Sequence, residues 1–355
     1  MPIRWEFHPI SAFLEFAPTW DSLNGRAGAL PFLESGFLLP LIKHFSQGNE
    51  RIALAYRGAE LIAATIVRHA GLGRWTSFQP SQLPLGPWLA AESEDSASLA
   101  DSLRAQLPGL KLNLGITQLD PIITPRVDDC DRMQTLDYIQ TGWVNIDRSF
   151  EMYWEARGKN LRTNMRKQRS KLEADGVRIT FDSLTDPSEV PAAIADYGRM
   201  ESASWKADSG TAVHPDNAQG RFYGEMMRHF CATGRGRIWR LKFDDNVVAM
   251  DLCIESHDTV VVLKTTFDAE YRAVSPAFLM RQEAFRQLFD EARIKRIEFY
   301  GRLMEWHTRW TEHARTLYHL NVFRWAFIPA LRNALRRRHT ESPDAAHAAA
   351  STNNA

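Results

Sequence analysis

The sequence RIWRLKFDDNVVAMDLCIESHDTVVVLKTTF, residues 237–267, predicts three β-strands joined by two short turns. Residues 237–243 alternate apolar and basic side chains, the pattern of a strand with one buried face. Turn-forming residues follow at 244–246 and again at His257 and Asp258. We therefore expect an antiparallel meander that ends near residue 267.

The chain after the meander predicts a helix and then another strand. Ser275 and Pro276 begin the helix, because proline is favoured in a first helical turn. Residues 296–300 form the strand, and residues 317–323 are expected to form a last one. The first N–H groups of a helix lack intrahelical partners and attract phosphate. With Arg272 as a cation and small side chains at Ser275 and Ala277, this junction indicates a phosphate-binding turn; a purely structural helix cap is the alternative.

A strongly basic helix is expected before the meander. Residues 157–172 contain seven Lys or Arg and no acidic residue, with Leu161, Met165 and Leu172 on one face. Arg162 and Arg166 belong to the opposite, basic surface. This surface either recognises a phosphate-bearing substrate, a lipid headgroup or tRNA, or is simply a solvated face. Two further helices are expected. One begins at Pro187, after Asp186 as its N-cap, and runs toward Trp205; the other covers residues 222–230.

Composition excludes several classes of protein. Of 355 residues, 43 are Lys or Arg and 43 are Asp or Glu, so a general DNA-binding protein is not expected. The three cysteines form no CxxC pair, and the histidines at 307, 313 and 319 lack metal-ligand spacing, so we expect no metal site. No segment is apolar enough to span a membrane, and no secretory signal begins the chain, which indicates a cytoplasmic protein. GxGxxG, P-loop and GxSxG motifs are absent.

Residues 153–323 resemble the CelD-like branch of the GNAT acyltransferases, named after a cellulose-biosynthesis protein and related to the Fem-type aminoacyl transferases. Four segments carry the resemblance: residues 160–166; Glu201 with Ser204, Trp205 and Lys206; residues 264–268 with Tyr271, Ser275 and Pro276; and residues 298–301 with Trp310. The resemblance implies an α/β (α+β) fold of tandem GNAT-like domains, each with a mixed, mostly antiparallel central sheet flanked by helices. We expect domains at 1–148 and 149–338, and a disordered tail at 339–355.

The resemblance also implies acyl-CoA as co-substrate, with no permanently bound cofactor. In GNAT enzymes the motif Arg or Gln, two residues, Gly, one residue, then Gly or Ala holds the pyrophosphate, and Arg272, Ser275 and Ala277 occupy those positions. The expected donor-binding residues are Thr265, Thr266, Phe267, Arg272, Val274, Ser275, Pro276 and Ala277. Serine replaces glycine at 275, and Trp306-His307 stands where the family is expected to have a Tyr-Lys pair.

The implied reaction is direct attack of an amine or hydroxyl on an acyl thioester, which needs a base and an acid. Asp268 and Glu298 are the candidate bases and Tyr300 the candidate acid. The expected substrate-binding residues are Trp205, Lys206, Tyr271, His307, Arg162 and Arg166. Three of these candidates have a structural alternative: Asp268 as a turn cap, Tyr300 as a packed strand end and Trp205 as a core residue.

The function that follows is acyl transfer from acyl-CoA to a sugar, a polysaccharide precursor or another small molecule of envelope biogenesis. One alternative is a Fem-like transferase that uses aminoacyl-tRNA, the only case in which a nucleic acid would be a partner. A second alternative is a non-catalytic accessory protein that keeps the fold, favoured by the substitutions at Ser275 and His307.

Overall fold

The computed structural model describes residues 1–202 and 213–328. Its strands are β1 (Ile3–Pro9), β2 (Glu50–Arg57), β3 (Glu60–His69), β4 (Arg74–Ser77), β5 (Trp88–Ala90), β6 (Asn113–Leu119), β7 (Met133–Asn145), β8 (Ile179–Leu184), β9 (Gly236–Phe243), β10 (Asn246–Ser256), β11 (Thr259–Phe267), β12 (Arg296–Glu298) and β13 (Ala314–Phe323). Its α-helices are α1 (Phe13–Arg26), α2 (Ser35–Phe45), α3 (Ser96–Gln106), α4 (Phe150–Glu155), α5 (Lys159–Ala174), α6 (Val190–Ser202), α7 (Ala218–Ala232), α8 (Pro276–Glu291) and α9 (Glu305–Thr308).

The strands form one continuous sheet in the order β1-β2-β3-β4-β6-β13-β7-β12-β11-β10-β9-β8, with β5 paired to β3. Among the described strands, all pairs are antiparallel except β4 with β6 and β11 with β12. Both parallel pairs are joined by a connection that contains a helix, α3 in the first half and α8 in the second. Because a parallel pair needs such a crossover, each half repeats one strand–helix–strand unit. The predicted tandem arrangement of mixed, mostly antiparallel sheets flanked by helices is confirmed.

Helices cover both faces of the sheet. Helices α1, α2, α6 and α7 pack on one face, where Phe37 and Phe222 meet edge to face at 5.2 Å between ring centroids. The other face is covered by α3 over the first half of the sheet and by α4, α5 and α8 over the second half. Strands β10 and β11 are therefore buried between two helical layers, which explains their nearly continuous apolar sequence.

The meander predicted for residues 237–267 is confirmed as β9, β10 and β11. Asp244 and His257 adopt positive φ values of 53° and 51° in its two turns, as two-residue hairpin turns require. The helix after Pro276 and the basic helix are also confirmed, as α8 and α5.

Two predicted boundaries were wrong. Helix α6 begins at Val190 instead of Pro187, since the residues before it form a turn. The strand predicted for residues 296–300 ends at Glu298. Tyr300 has a left-handed backbone, with φ 49°, which departs from the extended conformation of a regular strand.

The predicted boundary after residue 148 falls between β7 and α4, and Ser149 caps α4 by accepting a hydrogen bond from the Met152 N–H at 3.3 Å. Strand β13, from the predicted second domain, pairs with β6 and β7. The two predicted domains therefore contribute strands to the same sheet and are covered by the same helical layer. The boundary between them stays a prediction. The predicted disordered tail lies outside the described residues.

Candidate active site

An extra residue in β11 changes which side chains face each helical layer. In the register with β10, Leu252 lies opposite Lys264 and Cys253 opposite Val262, so Leu263 is the inserted residue of a β-bulge. Before the bulge, Val262 packs under α8. After it, the cation of Lys264 lies 5.6 Å from the centre of the Tyr223 ring on α7. The bulge therefore turns one cation toward the α6–α7 layer.

Strands β11 and β12 separate soon after they meet. They pair only at Thr259–Arg296, Val260–Ile297 and Val261–Glu298. Beyond Val261 and Glu298, the pairing between β11 and β12 ends. A crevice at the carboxyl ends of parallel strands is where ligands bind in many α/β proteins.

A cavity of about 200 Å³ lies at this opening. It is lined by Thr265, Thr266, Phe267, Arg272, Ser275, Pro276, Ala277, Phe278, Arg281 and Trp306. We call it the donor cavity. Seven of the eight predicted donor-binding residues line it, and Val274 does not; it packs against the core beneath α8 instead.

The first turn of α8 offers one backbone donor to the donor cavity. Pro276 has no N–H group, and the N–H groups of Phe278 and Leu279 donate to the Ser275 carbonyl oxygen at 3.0 and 3.3 Å. The Ala277 N–H makes no hydrogen bond with any described residue. This donor, the positive end of the helix dipole and the exposed guanidinium of Arg272 form an electropositive wall without a lining carboxylate.

Ser275 is strained and does not cap α8 through its side chain, contrary to the prediction. Its φ of 50° is left-handed, a conformation that costs a non-glycine residue about 1 kcal/mol or more. The hydroxyl oxygen of Ser275 instead accepts a hydrogen bond from the Gln168 side chain of α5 at 3.2 Å. Glycine adopts this left-handed conformation without strain, which explains why the GNAT motif has glycine here. In this chain serine takes its place, and the hydrogen bond from Gln168 of α5 holds the serine side chain.

A buried ion pair forms the base of the donor cavity. The Arg281 guanidinium donates to both carboxylate oxygens of Asp251, at 2.9 and 3.0 Å, and both side chains are buried. Arg281 also lies 4.1 Å from the centre of the Trp306 ring. Burial raises the pKa of Asp251 and the charge of Arg281 opposes that rise. The sequence analysis missed this pair, although an aspartate within the apolar run of β10 is a signal for it.

His307 is a neutral, buried residue beside the donor cavity. Its Nδ1 accepts a hydrogen bond from the Met304 N–H at 2.9 Å, and its ring stacks on Trp306. Burial and, to a smaller extent, the charge of Arg281 together lower the pKa of His307 to about 4. The protonation of His307 is therefore linked to the stability of the fold.

We expect His307 to make the protein less stable in mild acid. The unfolded chain binds a proton on this residue near pH 6.5, whereas the folded chain binds it only near pH 4, so lowering the pH favours unfolding. Between pH 7 and pH 5 the contribution amounts to about 2 kcal/mol. Urea unfolding at both pH values should show that His307→Asn reduces the loss of stability by this amount. An equal loss in both proteins would contradict the assignment.

Two predicted residues, Asp268 and Tyr271, lie near the donor cavity without lining it. The Asp268 carboxylate accepts a hydrogen bond from the Glu270 N–H at 3.0 Å and so caps a short 3₁₀ helix, Ala269–Val274. This turn-cap role was the alternative considered for Asp268. Tyr271 packs edge to face on Phe243, at 5.4 Å between ring centroids.

Glu298 and Tyr300 line a different cavity, together with Asp120 and Arg315. Arg315 donates from Nε and Nη2 to the Asp120 carboxylate and from Nη1 to Glu298 at 3.0 Å. Burial raises the pKa of Glu298, and Arg315 and Arg296 oppose the rise. Burial, together with the charges of Glu298 and Asp120, raises the pKa of Tyr300 well above its ordinary value. The three predicted catalytic residues are therefore not gathered at one cavity.

The α6–α7 layer contributes further polar side chains that the sequence analysis did not assign to the site. Tyr197 and Glu201 are fully buried, and Glu201 accepts a hydrogen bond from the Val213 N–H at 2.7 Å. The Tyr197 hydroxyl has no hydrogen-bond partner within the described residues. Trp205 and Lys206, which were predicted to bind substrate, lie outside the described residues.

Arg162 and Arg166 lie in an open groove of about 480 Å³ between α4, α5 and α8. The groove is lined by Trp154, Lys159, Arg162, Thr163, Met165, Arg166, Arg169 and Gln282. Arg162 is anchored by donating to the Arg157 carbonyl oxygen at 3.1 Å. Arg169 forms an ion pair with Glu283, whereas Lys159 and Arg166 form none within the described chain. The groove is therefore strongly cationic.

No group of three His, Cys, Asp or Glu side chains in the described part of the chain is arranged to hold a metal ion. None of the helices described here is both long and apolar enough to cross a lipid bilayer.

The class of protein follows from the fold, the site and a family comparison together. Residues 159–308, which include α5, the meander, α8 and the donor cavity, match the family model described as Acetyltransferase (GNAT) domain. The chain therefore contains a GNAT acetyltransferase domain, and by class it is an acyltransferase. No curated protein matches the sequence.

Solved structures with a similar fold share little sequence identity with this chain. The C-terminal domain of a putative lysylphosphatidylglycerol synthetase from Agrobacterium fabrum is 14% identical, with a TM-score of 0.52, over 85% of this chain and 91% of that chain. L-PGS from Bacillus licheniformis is 13% identical, with a TM-score of 0.50, over 83% and 91%. FemX is 9% identical, with a TM-score of 0.56, over 90% and 97%. These likenesses concern the fold alone.

Proposed function

We propose that this protein transfers an acyl group from acyl-CoA to an amine or hydroxyl of a small acceptor in the cytoplasm. The observation that supports this most is the donor cavity, which joins seven predicted donor-binding residues at the opening between β11 and β12. The resemblance to the CelD-like branch favours an acceptor that is a sugar, a polysaccharide precursor or another envelope-related molecule.

The proposed donor lies along the open edge of β11. The pyrophosphate accepts hydrogen bonds from the Ala277 N–H and from Arg272, in the electropositive wall at the start of α8. The pantetheine amides pair with β11 beyond Val261, where its pairing with β12 ends, as an added strand would. This arrangement directs the thioester toward the bulge at Leu263.

The proposed reaction forms one bond and breaks one. The acceptor nitrogen or oxygen attacks the thioester carbonyl carbon, the new C–N or C–O bond forms, and the C–S bond breaks. A base takes the proton of the acceptor, and the departing thiolate of CoA takes a proton from an acid. We propose Glu298 as the base, since burial raises its pKa toward the working pH, and Asp268 as the alternative. Tyr300, whose raised pKa keeps its hydroxyl protonated, is the proposed acid.

Aminoacyl-tRNA is a second candidate donor, favoured by the groove beside α5. Lys159, Arg162, Arg166 and Arg169 supply four cations, of which one is neutralised by Glu283. A single phosphate needs fewer cations, whereas a tRNA backbone presents several phosphates.

A thermal-shift titration with acetyl-CoA, repeated at 50 and 200 mM salt, tests the donor. Acetyl-CoA at a hundred times its Kd should stabilise the folded protein by about 2.7 kcal/mol and raise the Tm. If four tRNA phosphates bound instead, affinity for tRNA would fall by about 100-fold between these salt concentrations. No shift with acetyl-CoA, together with salt-sensitive tRNA binding, would favour the second candidate.

A further inference from the structure

A second cavity lies between the two halves of the molecule and is separate from the donor cavity. Its volume is about 180 Å³. Residues from the first half form one wall: Gly28, Ala29, Leu30, Pro31, Asp120, Ile122 and Ile123. The opposite wall contains Val261 and Glu298, the last facing pair before β11 and β12 separate. The cavity therefore borders the same seam between strands that the donor cavity opens from.

The two cavities lie on opposite faces of the sheet. Val261 and Tyr300, which line the second cavity, pack in the core beneath α6 and α7. The neighbouring residues Ile297 and Phe299 pack in the core beneath α8, the helix that begins at the donor cavity. Side chains alternate between faces along a strand, so Glu298 points away from α8. Tyr300 lies beyond the strand, and its place in the same core as Val261 puts it on that face as well. A molecule in the second cavity would meet a donor thioester through the seam.

The side chains that line the two cavities carry net formal charges of opposite sign. The second cavity is lined by three carboxylates, Asp120, Asp258 and Glu298, and by two guanidinium groups, Arg296 and Arg315. With His257 neutral its formal charge is therefore −1. The donor cavity has Arg272 and Arg281 and no carboxylate in its lining. A phosphate is favoured in the donor cavity and disfavoured in the second one.

Some polar groups of the second cavity lack partners. Arg296 donates from Nε to Glu298, whereas its buried Nη2 has no hydrogen-bond partner within the described residues. The Tyr300 hydroxyl likewise makes no hydrogen bond with a described residue. A buried donor left unpaired destabilises the protein, so a ligand oxygen placed beside Arg296 would be stabilised.

We infer that the second cavity binds the acyl acceptor, and that this acceptor is an uncharged or cationic molecule of about monosaccharide size with amine or hydroxyl groups. A water molecule occupies about 30 Å³, so the volume corresponds to about six waters. The inference rests on the proposed function, because an acyl acceptor exists only if the protein transfers an acyl group. The first half of the chain thereby has a role, because it supplies the apolar wall and, in Asp120, the carboxylate that holds Arg315.

The test is saturation-transfer NMR of the full chain with glucosamine, N-acetylglucosamine and ethanolamine, against glucosamine 6-phosphate and glucose 6-phosphate as anionic probes. At least one uncharged or cationic probe should bind, and the two phosphates should bind at least about tenfold more weakly. Ile122→Trp, at a residue that is 55% exposed on the wall of the cavity, should weaken binding by about tenfold by filling the space. Leu14→Trp, on the exposed side of α1, is the matched control.

Arg296→Lys gives a second, subtler test. Lysine keeps the charge beside Glu298 but removes the unpaired Nη2 donor, so binding of the same probe should weaken by about fivefold. Three results would overturn the inference: no binding of any uncharged or cationic probe, stronger binding of the phosphates, or binding that survives Ile122→Trp. Calorimetry with acetyl-CoA separates this failure from that of the proposed function, because donor binding involves the other face of the sheet.

Discussion

Arg272→Glu is expected to raise the Kd for acetyl-CoA by about 100-fold. The substitution removes a cation from the electropositive wall of the donor cavity and places a carboxylate beside the pyrophosphate. A charge-assisted hydrogen bond contributes about 1.5–3 kcal/mol, and repulsion adds to its loss. Isothermal calorimetry with acetyl-CoA measures the change directly.

The control for this substitution is Arg228→Glu. Arg228 is exposed on α7 and lines none of the cavities described above, and its replacement changes the net charge by the same amount. Arg272 is also exposed, so neither substitution should alter the free energy of unfolding by more than about 0.5 kcal/mol. An unchanged Kd in Arg272→Glu, or an equal rise in Arg228→Glu, would remove Arg272 from the donor site.

Asp251→Leu is expected to destabilise the protein by about 3–5 kcal/mol. The carboxylate is fully buried and holds both ends of the Arg281 guanidinium, so its loss leaves an unpaired charge in the core. Urea unfolding followed by circular dichroism gives the free energy. The large effect arises mainly from the uncompensated charge. Leucine has the same branching as aspartate but is larger, so overpacking adds to the loss of stability.

The double variant Asp251→Leu/Arg281→Met separates these causes. Replacing both members of a buried ion pair by apolar residues is often neutral or stabilising, so most of the lost stability should return. Acetyl-CoA binding should stay impaired in the double variant, since Arg281 lines the donor cavity. If the two substitutions instead destabilise additively, the ion pair is not the source of the effect.

The parts of the fold that the sequence predicted correctly are local. Residues 237–267 contain alternation, turn residues and strands that follow one another directly, so the meander needs no distant partner. The start of α8 has a similarly local signal in Pro276. The early end of β12 was missed, because a left-handed tyrosine at 300 has no recognisable pattern in the sequence.

The missed parts depend on contacts between distant residues. Asp120 and Arg315 lie 195 positions apart, and no motif links a loop of the first half to a strand near the end of the described chain. Strand β13 was predicted, but its place between β6 and β7 was not. The second cavity is formed by these same long-range pairs, so Glu298 and Tyr300 could be singled out from sequence but not assigned to a face of the sheet.

The donor cavity was predicted more completely because its residues are contiguous. Residues 265–277 run along one strand and one turn into one helix, so resemblance to the GNAT motif located nearly all of them. Val274 and Tyr271 are exceptions, since the turn directs these side chains toward the core. Arg281 and Trp306, which complete the cavity, come from the second turn of α8 and from α9, beyond the motif.

A crystal structure of the protein soaked with acetyl-CoA tests the central claim most directly. We expect pyrophosphate oxygens within about 3 Å of the Ala277 N–H and of Arg272, and the pantetheine alongside residues 262–267 of β11. Acetyl-CoA found only in the groove beside α5, or a donor cavity left empty at saturating ligand, would contradict it.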